Sequence, residues 1–152
     1  MKNFKYILLS LLFTGVFSCE IEEISDPNNP SLVDIEADAT KSDILLLITG
    51  TEELMRSEIG FYYDILGILG REYYFFTNSD PRYTGELLGK GDAVLDDAGF
   101  YGTRPYAGRY KVIRNANILM TAMANTSETL TEAERNGVKG FAKTCQAYSY
   151  LL

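Results

Sequence analysis

Hydrophobic residues recur at helical spacing along most of the chain from residue 42 onward. Ser42 suits the N-cap of a first helix, and Gly50 lies inside that helix at a cost of about 1 kcal/mol relative to alanine. We therefore predict a helix that bends or breaks at Gly50. The next apolar stretch, 59–73, is hydrophobic on most of its sides, which predicts a helix buried in the core.

Residues 77–104 have a different character, because turn-forming residues interrupt the helical pattern. Glycine is frequent here, and the aromatic residues of the stretch include Tyr83, Phe100 and Tyr101. A loop of more than about 20 residues is uncommon in a compact domain and is often functional. We therefore predict a long loop that is rich in glycine and tyrosine.

Two amphipathic helices are predicted after this loop. Pro105 is a favourable first-turn residue, and Thr131 with Glu134 fits a capping box at the start of the second helix. The apolar face of the first helix consists of Tyr106, Tyr110, Val112, Ile113, Ala116, Leu119, Met120 and Met123. That of the second consists of Val138, Phe141, Ala142, Cys145, Tyr148 and Leu152. The two helices are joined by a connection of about seven residues. Together they predict an antiparallel, tetratricopeptide-like hairpin in an all-α chain.

The apolar stripe of the last helix continues to Leu152 without a glycine C-cap or a basic last turn. Such a stripe requires a neighbour, so we expect the chain to be the first portion of a longer protein. The alternative is a helix that docks its own C-terminus into the core.

The N-terminus has the pattern of a bacterial lipoprotein signal. Lys2 and Lys5 precede an apolar run over residues 6–17, of which about eleven are continuous, whereas a membrane-spanning helix needs roughly 20. The run ends in Val16-Phe17-Ser18-Cys19, which resembles a lipobox. Cleavage before Cys19 would leave a sulfur that carries diacylglycerol, a durable membrane anchor. The alternative is an ordinary secretory signal that happens to end before a cysteine.

Residues 19–38 are predicted to be a tether between this anchor and the helices. Four acidic residues follow Cys19 within the next seven positions, and then come Pro27, Asn28, Asn29 and Pro30, which disfavour a helix. The acidic cluster resembles the signal that sends lipoproteins to the outer cell surface in Bacteroidetes-type bacteria. A solvated linker would also be acidic. We expect a protein anchored in the outer membrane and facing the cell exterior.

Composition excludes several kinds of function. The chain has 14 basic and 21 acidic residues, a net charge of −7, which argues against a nucleic-acid binder. It contains no histidine, which removes Ser-His-Asp and Cys-His nucleophilic sites and histidine-ligated zinc. Two cysteines make neither a disulfide scaffold nor a four-thiolate metal site. Binding or structural roles are therefore favoured over catalysis, and no cofactor is predicted.

Two segments resemble helices of the SusD/RagB-type outer-membrane lipoproteins. The segment Arg109–Leu119 is similar to the family's "Y-x-x-I-x-x-A-N-x-L" helix. The segment Leu130–Tyr148, with Gly140-Phe141-Ala142 inside it, is similar to the helix that follows. The lipobox, the acidic tether and these two helices follow one another in the same order as in the family, so the resemblance covers most of the chain.

The resemblance implies an α-helical protein built on tetratricopeptide-like hairpins, of which residues 39–152 would be the N-terminal part. It also implies a lid on a SusC-like TonB-dependent transporter, to which the protein hands oligosaccharides or, in some members, peptides. The chain departs from the family in having no tryptophan, often the residue on which sugars stack.

The candidate ligand-binding residues lie in or beside the predicted loop. Tyr83, Tyr101 and Tyr106 offer aromatic faces for sugar rings, and Arg104 offers hydrogen-bond donors. The alternative is that these aromatic residues pin the loop to the helices. Calcium is disfavoured, since the spacing of Asp92, Asp96 and Asp97 is not that of an EF-hand, and no metal is predicted. Cys145 is predicted to be a small core residue.

Two further functions are considered beside nutrient binding. The first is a lipid-anchored helical scaffold that contacts other proteins and has no affinity for saccharides. The second is a glycoside hydrolase, which needs two carboxyl groups roughly 5–9.5 Å apart across a cleft. Nothing in the sequence indicates such a pair, so we expect no enzymatic activity.

Overall fold

The computed structural model describes residues 31–77 and 79–152, which form α-helices and one short π-helical turn. The helices are α1 Leu32–Asp38, α2 Lys41–Arg56, α3 Ile59–Leu69, α4 Phe100–Asn125 and α5 Glu132–Leu151, and the π-helical turn is Tyr83–Leu87. No β-strand occurs in this part of the chain, so the all-α prediction is confirmed. The predicted signal peptide, Cys19 and the tether up to Pro30 lie outside the described residues.

The N-cap of helix α2 lies two residues before the predicted one, and the helix does not break at its glycine. Thr40 is the N-cap: its hydroxyl oxygen accepts from the Asp43 amide at 3.2 Å, and the Asp43 carboxylate accepts from the Thr40 amide at 3.0 Å. The prediction of Ser42 as N-cap is therefore wrong. Gly50 lies within the continuous helix, and the chain turns instead at Glu58, where φ is 59°.

Helix α3 is shorter and more exposed than its composition predicted. It ends at Leu69 rather than at residue 73, and of its residues Ile65 and Ile68 are the buried ones. Large side chains on its other faces, among them Tyr63, Leu66 and Leu69, are exposed. The prediction of a fully buried helix is wrong, because α3 packs through one face only.

Helix α4 begins five residues before Pro105. Gly99 is its N-cap, and the amides of Gly102 and Thr103 both donate to the Gly99 carbonyl at 3.0 Å. Pro105 therefore lies in the second turn, and the prediction that it starts the helix is wrong. As a consequence Tyr101 belongs to a helix and not to a loop.

Helices α4 and α5 run antiparallel, as predicted. Arg135 near the start of α5 donates to the Met123 carbonyl near the end of α4 at 3.2 Å, whereas Gln146 further along α5 donates to Asn117 at 2.6 Å. The capping box is confirmed: the Thr131 hydroxyl accepts from the Glu134 amide. Between these helices and α2 lies the first core cluster, whose buried members are Ala39, Ile44, Ala116, Leu119, Ala122, Met123 and Ala142. Tyr106 and Tyr110, expected on this apolar face, are exposed.

Helix α1 occupies residues that were predicted to belong to the tether. It is tied to the α4–α5 connection, because the Asn125 amide group donates to the Glu36 carbonyl at 2.7 Å and the Thr126 hydroxyl donates to the Ala39 carbonyl at 2.6 Å. The Ser127 amide donates to the Asp38 carboxylate at 2.7 Å, which lowers the pKa of Asp38. Residues 32–38 therefore belong to the helical unit Leu32–Leu152.

A buried arginine of α4 caps the C-terminal end of α2. The Arg109 guanidinium donates to the carbonyls of Leu54, Met55 and Ser57 at 3.4, 3.3 and 2.5 Å. These carbonyls belong to the last turn and its cap, where the helix supplies few donors of its own and the dipole attracts a cation; the Leu54 carbonyl also accepts from the Ser57 amide at 3.2 Å. The side chain is only 6% exposed, and no described carboxylate forms an ion pair with it. Arg109 is thus a structural residue.

A second core cluster holds the long loop against α3 and α4. Its buried members are Ile65, Ile68, Leu87 and Tyr101. Phe61, Tyr83, Leu88 and Phe100 pack against them. The segment between α3 and α4 is therefore not a free loop, since its π-helical turn inserts Leu87 between the helices. None of the described helices is long and apolar enough to cross a membrane.

Acid titration is expected to reveal the ion pair between α2 and α5. The Lys41 amine lies 2.7 Å from the Glu134 carboxylate and, together with hydrogen bonds from Thr131, lowers the pKa of Glu134 from 4.5 to about 2. Because the folded-state pKa is depressed, the stability that this carboxylate contributes is complete above about pH 4.5 and is lost as the pH falls toward 2. NMR titration of the Glu134 side chain measures this directly.

A Lys41→Met variant is expected to raise the pKa of Glu134 toward its ordinary value. Lys139→Met, which removes an exposed amine elsewhere on α5, is the matched control and should leave it unchanged. A wild-type Glu134 that titrates near 4.5 would contradict the ion pair.

Candidate functional site: an aromatic platform

A tight reversal after α3 starts the segment that carries the candidate site. The amide of Arg71 donates to the Ile68 carbonyl at 3.2 Å and that of Glu72 to the Gly67 carbonyl at 2.9 Å, which is the Schellman pattern. Arg71 has a φ of 62°, a conformation that usually requires glycine and costs about 1–2 kcal/mol in other residues. The chain is thereby turned back along α3.

Tyr73 fixes the beginning of the segment against α3. Its hydroxyl donates to the Asp64 carboxylate at 2.9 Å and lies 3.0 Å from the Asp64 carbonyl. Its ring occupies the space above Gly67, where an added Cβ would lie 2.4 Å from a ring carbon. Any larger residue at position 67 would displace this ring. Burial, followed by the bond to Asp64, raises the pKa of the Tyr73 phenol.

The following residues place two aromatic rings on the surface. Residues 73–77 have no helical hydrogen bonding, and side chains of an extended chain alternate in direction. Phe75 packs edge-on against Tyr83 with ring centroids 4.9 Å apart. Tyr74 and Phe76 instead lie parallel to each other, with an interplanar angle of 13° and centroids 6.2 Å apart. They are 60% and 77% exposed. We call Tyr74 and Phe76 the aromatic platform.

The platform forms one wall of a surface recess of about 630 Å³. The rest of the recess comes from the loop around the π-helical turn and combines apolar, hydroxyl and amine groups. Its lining consists of Tyr74, Phe76, Thr77, Thr84, Leu88 and Lys90. Exposed rings beside a few polar groups are the composition of a site for a small organic ligand.

Two of the predicted ligand residues, Tyr83 and Tyr101, hold the loop in place. The Tyr83 ring contacts those of Phe75 and Phe100. The Tyr101 ring is buried, and its hydroxyl donates to Glu86 and accepts from the Asp96 amide. Burial, followed by the bond to Glu86, raises the pKa of Tyr101. These contacts correspond to the alternative in which the aromatic residues pin the loop.

The other two predicted ligand residues lie on α4. Arg104 forms an ion pair with Glu58 at 2.9 Å, and its guanidinium covers the Phe61 ring at 4.4 Å. Tyr106 is 63% exposed, and its ring contacts that of Tyr110 at an interplanar angle of 33°, with centroids 4.4 Å apart. The hydrogen bond with Tyr110 raises the pKa of Tyr106.

Tyr101 and Tyr106 line a second depression, which we call the tyrosine groove. It has a volume of about 460 Å³ and lies between α3, α4 and the end of α5. The groove is lined by Tyr62, Ile65, Leu66, Leu69, Leu95, Tyr101, Gly102, Pro105, Tyr106, Arg109, Tyr110, Ser149, Tyr150 and Leu152. Tyr83 and Arg104 do not line it, so the four predicted ligand residues do not share one surface.

The aspartates and the cysteine considered in the sequence analysis do not form a binding site in the described part of the chain. Asp92, Asp96 and Asp97 are exposed, and no group of three or more Cys, Asp or Glu side chains there could hold a metal ion. Cys145 is buried, as predicted for a core residue, and burial raises the pKa of its thiol.

Comparison of the chain with protein-family models, curated proteins and solved structures found no match.

The sequence pattern does not predict the aromatic platform, because the apolar run of α3 continues through Tyr73. The signal that could have found it is Gly70, a helix C-cap, followed by the polar pair Arg71 and Glu72. A helix that ends there leaves Tyr74 and Phe76 on an extended segment, where they fall on the same side.

Proposed function

We propose that this protein is a cell-surface lipoprotein, anchored in the outer membrane through Cys19, that binds glycans or peptides. It delivers them to a partner SusC-like TonB-dependent transporter, without covalent chemistry. The anchor and the transporter are proposed from the lipobox and from the resemblance to SusD/RagB-type lipoproteins. The observation that supports the binding role is the aromatic platform, with two parallel, exposed rings in a recess.

The chemistry of the recess suits a sugar ring better than a purely apolar ligand. A pyranose has an apolar C–H face, which stacks on an aromatic ring, and hydroxyl groups at its edge. Thr77 and Thr84 supply hydroxyl groups within the same recess, and Lys90 supplies an amine. The Thr84 hydroxyl donates to the Pro81 carbonyl at 3.2 Å, so its oxygen is oriented as an acceptor.

A second candidate function is the lipid-anchored scaffold that only contacts other proteins. The tyrosine groove supports it, because Leu66 and Leu69 on one side and Tyr150 on the other are exposed. Apolar surface of this kind is typical of a protein interface. The scaffold predicts protein partners and no affinity for oligosaccharides or peptides.

Removal of the platform rings is expected to abolish most ligand binding. We expect the double variant Tyr74→Ala/Phe76→Ala to bind its best oligosaccharide or peptide at least about tenfold more weakly, which corresponds to about 1.4 kcal/mol. Both rings are exposed, so the circular dichroism spectrum and the melting temperature should stay close to those of the wild type. Screening the full-length chain on a glycan and peptide array identifies the ligand, and isothermal titration calorimetry gives the affinities.

Tyr106→Ala is the matched control, because it removes an exposed tyrosine from the tyrosine groove. It should leave the affinity unchanged. If Tyr106→Ala weakens binding and the platform variant does not, the ligand site is the groove and the platform is the wrong surface. If no glycan or peptide binds while a transporter still co-purifies with the chain, the scaffold function replaces the nutrient-binding one.

A further inference from the structure

The loop that carries Lys90 is held in a fixed shape beside the platform. The Lys90 amide donates to the Gly85 carbonyl at 2.9 Å, which closes the loop. The Arg71 guanidinium donates to the carbonyls of Leu87 and Leu88, each at 3.1 Å. Arg71 therefore has two roles. Its left-handed backbone conformation reverses the chain after α3, and its side chain holds the loop that carries Lys90.

Two glycines shape the backbone on either side of Lys90. Gly89 and Gly91 have φ values of 70° and 68°, which other residues adopt only with strain. The lysine between them is exposed at the edge of the recess. The backbone conformation that places the Lys90 side chain therefore depends on both neighbouring glycines.

The Lys90 amine has no counter-ion among the described residues. Two carboxylates of the same loop have other partners: Asp80 forms an ion pair with Arg82 at 2.7 Å, and Glu86 accepts from the Tyr101 hydroxyl. Asp92, two residues after Lys90, is exposed and forms no ion pair with it. The recess thus carries an unpaired positive charge in a chain whose net charge is −7. A ligand that carries an anionic group beside a sugar ring would contact both the aromatic platform and the Lys90 amine.

We infer that the recess binds acidic oligosaccharides, whose sugar rings stack on Tyr74 and Phe76 while a carboxylate or sulfate pairs with Lys90. This inference rests on the proposed glycan-binding function and specifies the class of glycan. The charge-assisted hydrogen bond from the amine is stronger than one to a neutral hydroxyl, so it selects acidic over neutral sugars. In an acidic protein, a cationic group is needed at the site to offset the general repulsion of an anionic ligand.

The test compares tetragalacturonate with its methyl ester, which keeps the sugar rings and removes the charges. Isothermal titration calorimetry with the full-length chain is expected to show up to about fivefold tighter binding of the acid form, because Lys90 is exposed to solvent. Lys90→Gln should remove this preference, whereas Lys139→Gln, which neutralises an exposed lysine on α5, should keep it. Raising the salt from about 0.05 M to about 0.5 M should weaken binding of the acid form selectively.

Different experimental results would contradict the acidic-ligand inference and the proposed glycan-binding function. Equal affinity for acid and ester, or an acid preference that survives Lys90→Gln, overturns the inference. If maltotetraose or the ester binds through Tyr74 and Phe76 while the acid form does not, the glycan-binding function stands and the acidic class is wrong. If neither these probes nor chondroitin sulfate oligosaccharides bind, both the inference and the glycan-binding function are overturned.

Discussion

Replacement of Arg109 by methionine is expected to lower the free energy of unfolding by about 2–4 kcal/mol. The guanidinium donates to three carbonyls at the C-terminal end of α2, and it is the buried cation at the negative end of that helix dipole. Methionine keeps much of the aliphatic volume of the side chain but removes the guanidinium donors from those carbonyls at a buried position. Urea unfolding of the full-length chain, followed by far-ultraviolet circular dichroism, measures the change.

Arg114→Met is the matched control for this experiment. Arg114 belongs to the same helix but is exposed, so the same substitution should change the free energy of unfolding by no more than about 0.5 kcal/mol. Arg109→Lys is expected to lower the free energy of unfolding by an amount between those of the two methionine variants. Its ammonium keeps the charge but lacks the planar fork of donors that reaches three carbonyls. Equal destabilisation by Arg109→Met and Arg114→Met would show that the cap does not stabilise α2.

The helical pattern predicted the fold class and most of the helices, whereas their ends required cap chemistry. Ser42 and Thr40 are both good N-cap residues, and a single-residue preference does not separate them. What separates them is Asp43, which lies three residues after Thr40 and completes a reciprocal capping box. For α5, the spacing of Thr131 and Glu134 predicts the complete capping box, and this prediction is confirmed.

Hydrophobicity alone did not predict which helix faces are buried. Helix α3 is apolar on most sides, but burial also needs a neighbouring element on each side, and the described chain packs against one face only. The tyrosines of α4 show the same limit: Tyr106 and Tyr110 follow the spacing of Val112 and Ala116 but lie beyond the first core cluster. Spacing defines a face of a helix, and the tertiary packing determines how far that face is covered.

The candidate site was the least predictable part, because it depends on a change of periodicity over a few residues. Tyr83 lies in the segment predicted as a loop, whereas Tyr101 belongs to α4, and both rings turn inward and hold the segment. Tyr74 and Phe76 become neighbours only because the chain leaves the helical period at Gly70 and continues with a period of two. A short extended segment of this length gives little signal beside a strongly apolar helix.

Leu119→Ala is expected to destabilise the protein by about 2–5 kcal/mol, the largest single effect among these substitutions. Leu119 is 0% exposed at the centre of the first core cluster, and several of the buried residues around it are alanines, including Ala116 and Ala142. Small, rigid neighbours cannot move in to fill the space of a deleted isopropyl group, so the loss includes a cavity as well as the transfer of the deleted apolar atoms. The matched control, Leu151→Ala, removes the same atoms from a side chain that is 84% exposed, and should shift the urea midpoint very little. A loss below about 1 kcal/mol for Leu119→Ala would mean that α2, α4 and α5 do not pack around this residue.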